Sequence, residues 1–150
     1  MIDVRELASD GELEGAFALM AELRPHLRSD SFVDTVRRQQ RGGYRLYGGF
    51  ADSALVVLAG VRDAETLSRG PHLFVDDLVT LRSRQGKGHG ADMLRWLARH
   101  AAGRGFDRVY LDSRDTALGF YRRLGFAPLT AVPCWAGVEQ LAAPRPAPVS

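Results

Sequence analysis

The spacing of apolar and polar residues changes several times along this chain, and each change marks a predicted element. A period of two is typical of a half-buried strand, and a period of about 3.6 is typical of an amphipathic helix. The first part of the chain predicts a strand over residues 2–7, a helix over 11–24, a second helix from a cap at Asp30 or Ser31 to residue 40, two strands over 44–51 and 54–62, and a polar connection over 63–70. Asp52 and Ser53 suit the tight turn of a hairpin between those two strands.

The second part of the chain predicts a central strand from about residue 73, a helix over 88–103, a strand over 106–111, a short helix over 116–124, a terminal hairpin of 126–132 with 135–141, and a flexible tail over 142–150. The central strand, the long helix and the next strand form a β-α-β unit. We therefore expect these two strands to be parallel, with a right-handed crossover. At 150 residues the chain is most simply one domain, which we place at residues 1–141.

The stretch from Leu73 to Gly90 combines an apolar strand with a glycine-rich turn and the start of a helix. Gly86, Gly88 and Gly90 occupy alternate positions, where the absence of a Cβ lets a ligand approach the backbone. The free N–H groups of a first helical turn and the positive end of the helix dipole favour a phosphate. The sequence therefore predicts an anion site at this turn.

Two other phosphate motifs partly match the same glycines. Gly86-x-Gly88-x-x-Ala91 has the form of a dinucleotide fingerprint, and Asp112 could serve as its ribose-binding acid. That fingerprint opens the helix directly after the strand, whereas residues 81–85 intervene here. A Walker-type loop also fails, because no Ser or Thr follows Lys87. The remaining alternative to an anion site is a plain loop that starts a helix.

Two motifs give this chain a resemblance to a known family. Arg84 precedes Gln85-x-x-Gly88-x-Gly90, and further on the chain has Ala117-x-x-Phe120-Tyr121-x-x-x-Gly125-Phe126. In this order and spacing, the two motifs resemble the signatures of the GCN5-related N-acetyltransferase (GNAT) superfamily. The resemblance implies an α/β (α+β) GNAT fold: a mixed, mostly antiparallel central sheet, flanked by helices, in which the parallel strands 4 and 5 splay apart.

The resemblance implies acetyl-CoA as the cosubstrate, with no metal. In the gap beside strand 4 the pantetheine arm would pair with the backbone of Leu78, Val79 and Leu81, as an added strand does. The pyrophosphate would be held by Arg84, Gln85, Gly86, Lys87, Gly88, His89 and Gly90. Arg114 stands where the family often has an asparagine, so it either binds phosphate instead or belongs to a different loop. Phe120 either lies beside the cofactor or packs against the sheet.

Three residues are candidates for catalysis. The resemblance places Tyr121 beside the thioester sulfur, where a hydroxyl can protonate the departing thiolate of a thiol with a pKa near ~8.5. Asp76 and Asp77 lie mid-strand, where aspartate is unusual. Strand alternation predicts that they face opposite sides, so that one of them faces the acceptor cleft. That acid could bind an ammonium group or remove its proton through water, and an ordinary salt bridge with an arginine is the alternative.

Composition limits the remaining classes of function. The net charge of +2 and pI of about 9.0 are too weakly basic to imply nucleic acid, and no apolar run approaches the ~20 residues of a membrane span. The N-terminus lacks the apolar run of a signal peptide. The single cysteine, Cys134, excludes an internal disulfide and favours a cytoplasmic location. His26, His72, His89 and His100 show no metal-ligand spacing.

The sequence thus predicts an acetyltransferase that moves an acetyl group from acetyl-CoA to a primary amine of a small molecule or protein, by direct attack in a ternary complex. The alternative is a non-catalytic acyl-CoA-binding module with the same fold. The resemblance also allows a homodimer, for which no residue gives a signal.

Overall fold

The computed structural model describes residues 1–149. The chain divides into two compact units, Met1–Asp115 and a second unit from Thr116 onward, and each is described here by itself. Among the described residues, no helix is both long and apolar enough to cross a membrane.

The helices and strands of the first unit follow one another in the predicted order. Its elements are β1 (Asp3–Glu6), α1 (Asp10–Leu23), α2 (Phe32–Arg41), β2 (Tyr44–Ala51), β3 (Ala54–Thr66), β4 (Gly70–Thr80), a 3-10 turn (Arg82–Arg84), α3 (His89–Gly103) and β5 (Val109–Leu111). In the second unit, the 3-10 turn Asp115–Ala117 leads into α4 (Leu118–Arg123), and a short helix, α5 (Val138–Ala142), follows later.

The sheet has the strand order β1-β2-β3-β4-β5. The first three pairings are antiparallel, and β4 and β5 are parallel, which confirms the predicted mixed sheet and its β-α-β unit. The predicted hairpin turn is also present. Asp52 and Ser53 both have positive φ values, of 49° and 65°, the conformation that a two-residue turn needs to match the twist of its strands.

A cluster of buried apolar side chains joins α1 and α2 to one face of the sheet. Its members are Leu7, Leu13, Ala16, Leu19, Met20, Phe32, Val36, Tyr44, Leu46, Leu58 and Val79. Helix α3 contributes Met93, Leu94 and Leu97, which are also buried, and it lies against β3 and β4. The sheet is therefore flanked by helices, as predicted.

Two sequence predictions about the elements are wrong. Residues 63–70 are not a loop, because β3 runs to Thr66 and pairs there with Gly70 of β4. Backbone pairing in an exposed strand end does not require apolar side chains, so the polar composition was misleading.

The predicted terminal hairpin is absent from the described residues, where 126–137 have no strand and Val138–Ala142 is a helix. Its alternating apolar residues lie in the solvent, including Val132 and Trp135, which are 78% and 92% exposed. No apolar face covers them, and Pro128 and Pro133 lack the N–H that a ladder needs. The predicted tail begins inside α5 and reaches residue 150, which lies outside the described residues.

The N-terminus of α1 gives a direct test of the fold. Ser9 accepts a hydrogen bond from the Glu12 N–H, and Glu12 accepts one from the Ser9 N–H, which is a capping box. Ser31, at the start of α2, makes no side-chain cap. We expect Ser9→Ala to lower the free energy of unfolding by about 1 kcal/mol in urea melts, and the matched Ser31→Ala change to lower it by a few tenths at most. Equal losses in the two variants would contradict the capping geometry.

Candidate active site

A β-bulge in β4 sets the direction of the two aspartates. Gly60 of β3 lies opposite Asp77 and the next residue, Val61, lies opposite Val75, so Asp76 is an extra residue in β4. A bulge interrupts the alternation of side chains along a strand. Both carboxylates therefore line the same cavity. The prediction that Asp76 and Asp77 face opposite sides is wrong, because it assumed an unbroken strand.

This cavity has a volume of about 480 Å³ and lies among residues of the first unit. Its apolar lining comes from Met20, Leu27, Phe32, Val36 and Phe74. Its polar lining comes from Arg24, His26, Thr35, Gln39, Tyr44, Asp76 and Asp77. The volume is within the usual range of small-molecule sites, which combine an apolar lining with polar groups that orient the ligand.

Asp77 is held by two hydrogen bonds and an ion-pair contact. Its Oδ1 accepts from Nε of Arg24 at 3.0 Å and lies 2.9 Å from Nη2 of the same guanidinium, and its Oδ2 accepts from the Tyr44 hydroxyl at 2.8 Å. Burial, followed by the negative charge of Asp77, raises the pKa of Tyr44 far above its usual value, so this hydroxyl stays a donor. Gly60 leaves room for the Tyr44 ring, because a Cβ at that position would clash with the hydroxyl.

Asp76 is held less completely. Its Oδ2 accepts from Nε of Arg62 at 2.7 Å, and Nη2 of the same arginine donates to the Gln39 side chain at 2.7 Å. The backbone carbonyl of Asp76 accepts from Nη2 of Arg24 at 2.9 Å. Each aspartate thus has an arginine partner, as the salt-bridge alternative predicted, and both also line the cavity.

Beyond the bulge, β4 loses its parallel neighbour. β5 pairs only with Leu73–Val75, so within the first unit the rest of that edge has no strand beside it. The Leu81 N–H donates to the Val56 carbonyl at 2.8 Å, and the Leu81 carbonyl accepts from the Arg84 N–H at 2.8 Å. Antiparallel alternation then directs the backbone groups of Val79 toward β3, and those of Leu78 and Thr80 toward the open edge.

Three residues were predicted to pair with pantetheine. The register leaves the backbone groups of Leu78 at the open edge, whereas those of Val79 face β3 and those of Leu81 bond to Val56 and Arg84. Thr80 was missed. Only the pairing register with β3 tells the two sets apart, and the sequence carries no local signal for it.

The glycine turn follows at the end of β4. Gly86 and Gly88 have φ values of +81° and +82°, which favour glycine. Gly88 is the N-cap of α3, and its carbonyl accepts the Asp92 N–H at 2.9 Å. The amides before Asp92 have no intrahelical acceptor, so they are available to an anion. The Gln85 side chain donates to the Thr80 carbonyl at 3.3 Å and links the turn to the strand.

The charged residues that were predicted to bind the pyrophosphate differ in accessibility. Lys87 and Arg114 are exposed, and Arg84 is partly buried. His89 is 8% exposed, and neither of its ring nitrogens has a hydrogen-bond partner within residues 1–149. A contact between His89 and an anion at the turn would therefore use its backbone N–H. Residues 84–90 lie together on the chain, and Gly90 is inside the first turn of α3.

Tyr121 and Phe120 belong to the second unit, where α4 ends in a Schellman motif. The Phe126 N–H donates to the Tyr121 carbonyl at 3.1 Å, the Gly125 N–H donates to the Arg122 carbonyl at 3.0 Å, and Gly125 has a φ of +97°. The Tyr121 ring packs against Phe120 and Phe126, with centroid distances of 5.0 and 5.6 Å. Burial raises the pKa of the Tyr121 hydroxyl, which keeps it protonated at neutral pH.

Among residues 1–149, no group of three or more histidine, cysteine or acidic side chains could hold a metal ion.

Known proteins similar to this chain share its length and its fold. The uncharacterized N-acetyltransferase YhdJ of Bacillus subtilis (strain 168) is 29% identical over 131 residues, which are 84% of this chain and 92% of that protein. The crystal structure of a transcriptional regulator from Bacillus halodurans C-125 has a TM-score of 0.78 at 21% identity, and the match covers 91% of this chain and 100% of that one. The aminoglycoside N-acetyltransferase AAC(6')-Iy, in a complex with CoA, has a TM-score of 0.78 at 16% identity over 92% and 95% of the two chains.

The two motifs, the mixed sheet with its parallel β4 and β5, and the open edge of β4 all agree with one family. The model of the acetyltransferase (GNAT) family matches residues 13–126. This chain therefore belongs to the acetyltransferase (GNAT) family of acyl-transferring enzymes.

Proposed function

We propose that this enzyme transfers an acetyl group from acetyl-CoA to a primary amine, by direct attack in a ternary complex. The observation that carries the proposal is the open edge of β4, which leads straight into the glycine turn and the free amides of α3. An acyl-CoA molecule combines an extended arm that bears two amides with a pyrophosphate, and these two features of β4 and α3 are complementary to that combination.

The binding of acetyl-CoA rests on backbone groups more than on side chains. The amides of the pantetheine arm would pair with Leu78 and Thr80, and the pyrophosphate would accept hydrogen bonds from the amides of residues 86–90. Lys87, Arg84 and Arg114 would add positive charge. The CoA complex of AAC(6')-Iy, which shares the fold, supports this choice of cosubstrate.

The cavity beside Asp76 and Asp77 would hold the amine. An alkyl amine has a pKa near ~10.4, so it must lose a proton before it can attack at neutral pH. Asp76 has an oxygen available for this role, either directly or through a water molecule. In the transfer, the amine nitrogen bonds to the acetyl carbon, the carbon–sulfur bond breaks, and Tyr121 gives its proton to the thiolate and recovers one from solvent.

We further propose a cytoplasmic location, because the one cysteine, Cys134, is an exposed free thiol. A reducing compartment would protect such a thiol from oxidation.

The proposed cosubstrate is testable by thermal melts. Acetyl-CoA or CoA at ~100 times its dissociation constant should stabilise the protein by ~2.7 kcal/mol. This corresponds to a rise in the melting midpoint of about 5–10 °C, whereas NAD should give no shift. Gly88→Ala should abolish the shift, because a Cβ at a φ of +82° distorts the turn.

Gly105→Ala is the matched control for Gly88→Ala. Gly105 has a φ of +85° and the same open surroundings, but it lies beyond the other end of α3. We expect it to lower the unliganded midpoint by a similar amount and to keep the full response to CoA. A shift with NAD alone would overturn the acyl-CoA assignment in favour of a dinucleotide.

The role of Tyr121 is testable by steady-state kinetics with thiol release as the readout. Tyr121→Phe removes the hydroxyl and keeps the ring that packs on Phe120 and Phe126, so we expect kcat to fall by about 10²–10⁴ while KM for acetyl-CoA stays within about twofold. The matched variant Tyr110→Phe removes a hydroxyl that accepts a hydrogen bond from Arg108 and is not part of the cavity lining, so it should keep the parental kcat. Because burial raises the pKa of Tyr121, the alkaline loss of kcat in the parent enzyme should begin above pH ~10.

If Tyr121→Phe retained the parental kcat and pH profile, the proton donor would be another group. If acetyl transfer were measured and did not depend on Tyr121, the acetyltransferase assignment would stand, and Tyr121 would no longer be assigned as the proton donor.

A further inference from the structure

The two carboxylates in the cavity are not equivalent, and their difference bears on the acceptor. We propose that the acceptor is a monoamine on an apolar body, and that Asp76 receives its single ammonium group. This inference rests on the proposed function, because it takes the cavity as the acceptor site.

Asp77 has little capacity left for a ligand. Both oxygens of this carboxylate are already engaged, Oδ1 by the Arg24 guanidinium and Oδ2 by the Tyr44 hydroxyl. Its side chain is 14% exposed. These contacts tie the end of α1 and the start of β2 to β4, so Asp77 acts as a positioning residue for the cavity wall.

Asp76 keeps one oxygen open. Arg62 donates to Oδ2, and no residue of the described part of the chain, 1–149, donates to Oδ1. The side chain is 25% exposed and lines the cavity. One ammonium group at Oδ1 would complete the hydrogen bonds of this carboxylate without displacing Arg62.

A second ammonium group on the same ligand would find no comparable partner. Away from the acid pair, the described residues of the lining include no third carboxylate: they are apolar side chains, such as Met20, Leu27 and Phe74, and the polar side chains of Arg24, His26, Thr35, Gln39 and Tyr44. The Arg24 guanidinium also lines the cavity, and it would repel a second cation. Since burying an unpaired charge is costly, the cavity favours a monoamine over a diamine of the same length.

Pentylamine and cadaverine test this directly, because they share a carbon chain and differ by one amino group. We expect calorimetric titration of the CoA-saturated protein to give a dissociation constant for pentylamine at least about tenfold below that for cadaverine. Asp76→Asn should weaken the binding of pentylamine by about tenfold or more.

Asp63→Asn is the matched control for that variant. Asp63 also pairs with an arginine, Arg104, but it is not part of the cavity lining. It should leave both amine affinities unchanged. Retained CoA affinity in Asp76→Asn would show that the variant is folded.

Three results would overturn the inference: equal or tighter binding of cadaverine, an unchanged affinity for pentylamine in Asp76→Asn, or no binding of pentylamine at tens of millimolar. Thiol release from acetyl-CoA is measured separately on the same samples. Selective, Asp76-dependent binding of pentylamine without thiol release would refute the proposed acetyl transfer and leave the recognition of a monoamine in place.

Discussion

The bulge at Asp76 is the constraint on which the candidate site depends. By adding one residue to β4, the bulge directs two adjacent carboxylates to the same cavity. Two like charges there would repel each other unless each had a partner. Arg24 is the C-cap of α1 and Arg62 lies in β3, so the pairing of charge also fixes how α1 and β3 meet β4. Removing one partner from such a pair costs more than the pair contributes, because it leaves a charge without compensation.

Strand β4 serves two sites because its two ends have different neighbours. Near Leu73 it is paired on both edges, by β3 and by β5. After Val75 only β3 remains within the first unit, and the bulge occurs at the next residue. The open backbone edge and the acid-lined cavity therefore begin at one place on the strand. Under the proposed function, an amine bound in the cavity would therefore lie close to the start of the edge that we assign to pantetheine.

The features that could be predicted from the sequence are those that neighbouring residues determine. Asp52 and Ser53 adopt positive φ in a two-residue turn, and Gly88 caps α3 with a φ that glycine tolerates best. The bulge could not be predicted in this way, because it is a mismatch in register between β3 and β4. For the same reason, Val79 and Leu81 were predicted to pair with pantetheine and Thr80 was not. An alternating pattern over 126–141 predicted a hairpin, but a strand also needs a partner and a face to bury, and residues 126–137 have neither in the second unit.

The arrangement around Tyr121 is determined partly by neighbouring residues and partly by tertiary structure. Gly125 allows the chain to reverse after α4, and the two hydrogen bonds of the Schellman motif then bring Phe126 against Tyr121. Local sequence thus determines the orientation of the ring relative to its own helix, and burial among aromatic rings keeps the hydroxyl protonated. Proton donation requires more than this, because the hydroxyl must also lie within hydrogen-bond distance of the departing sulfur. The motif therefore determines the chemical state of Tyr121, whereas its reach to the sulfur depends on tertiary structure that the motif itself does not encode.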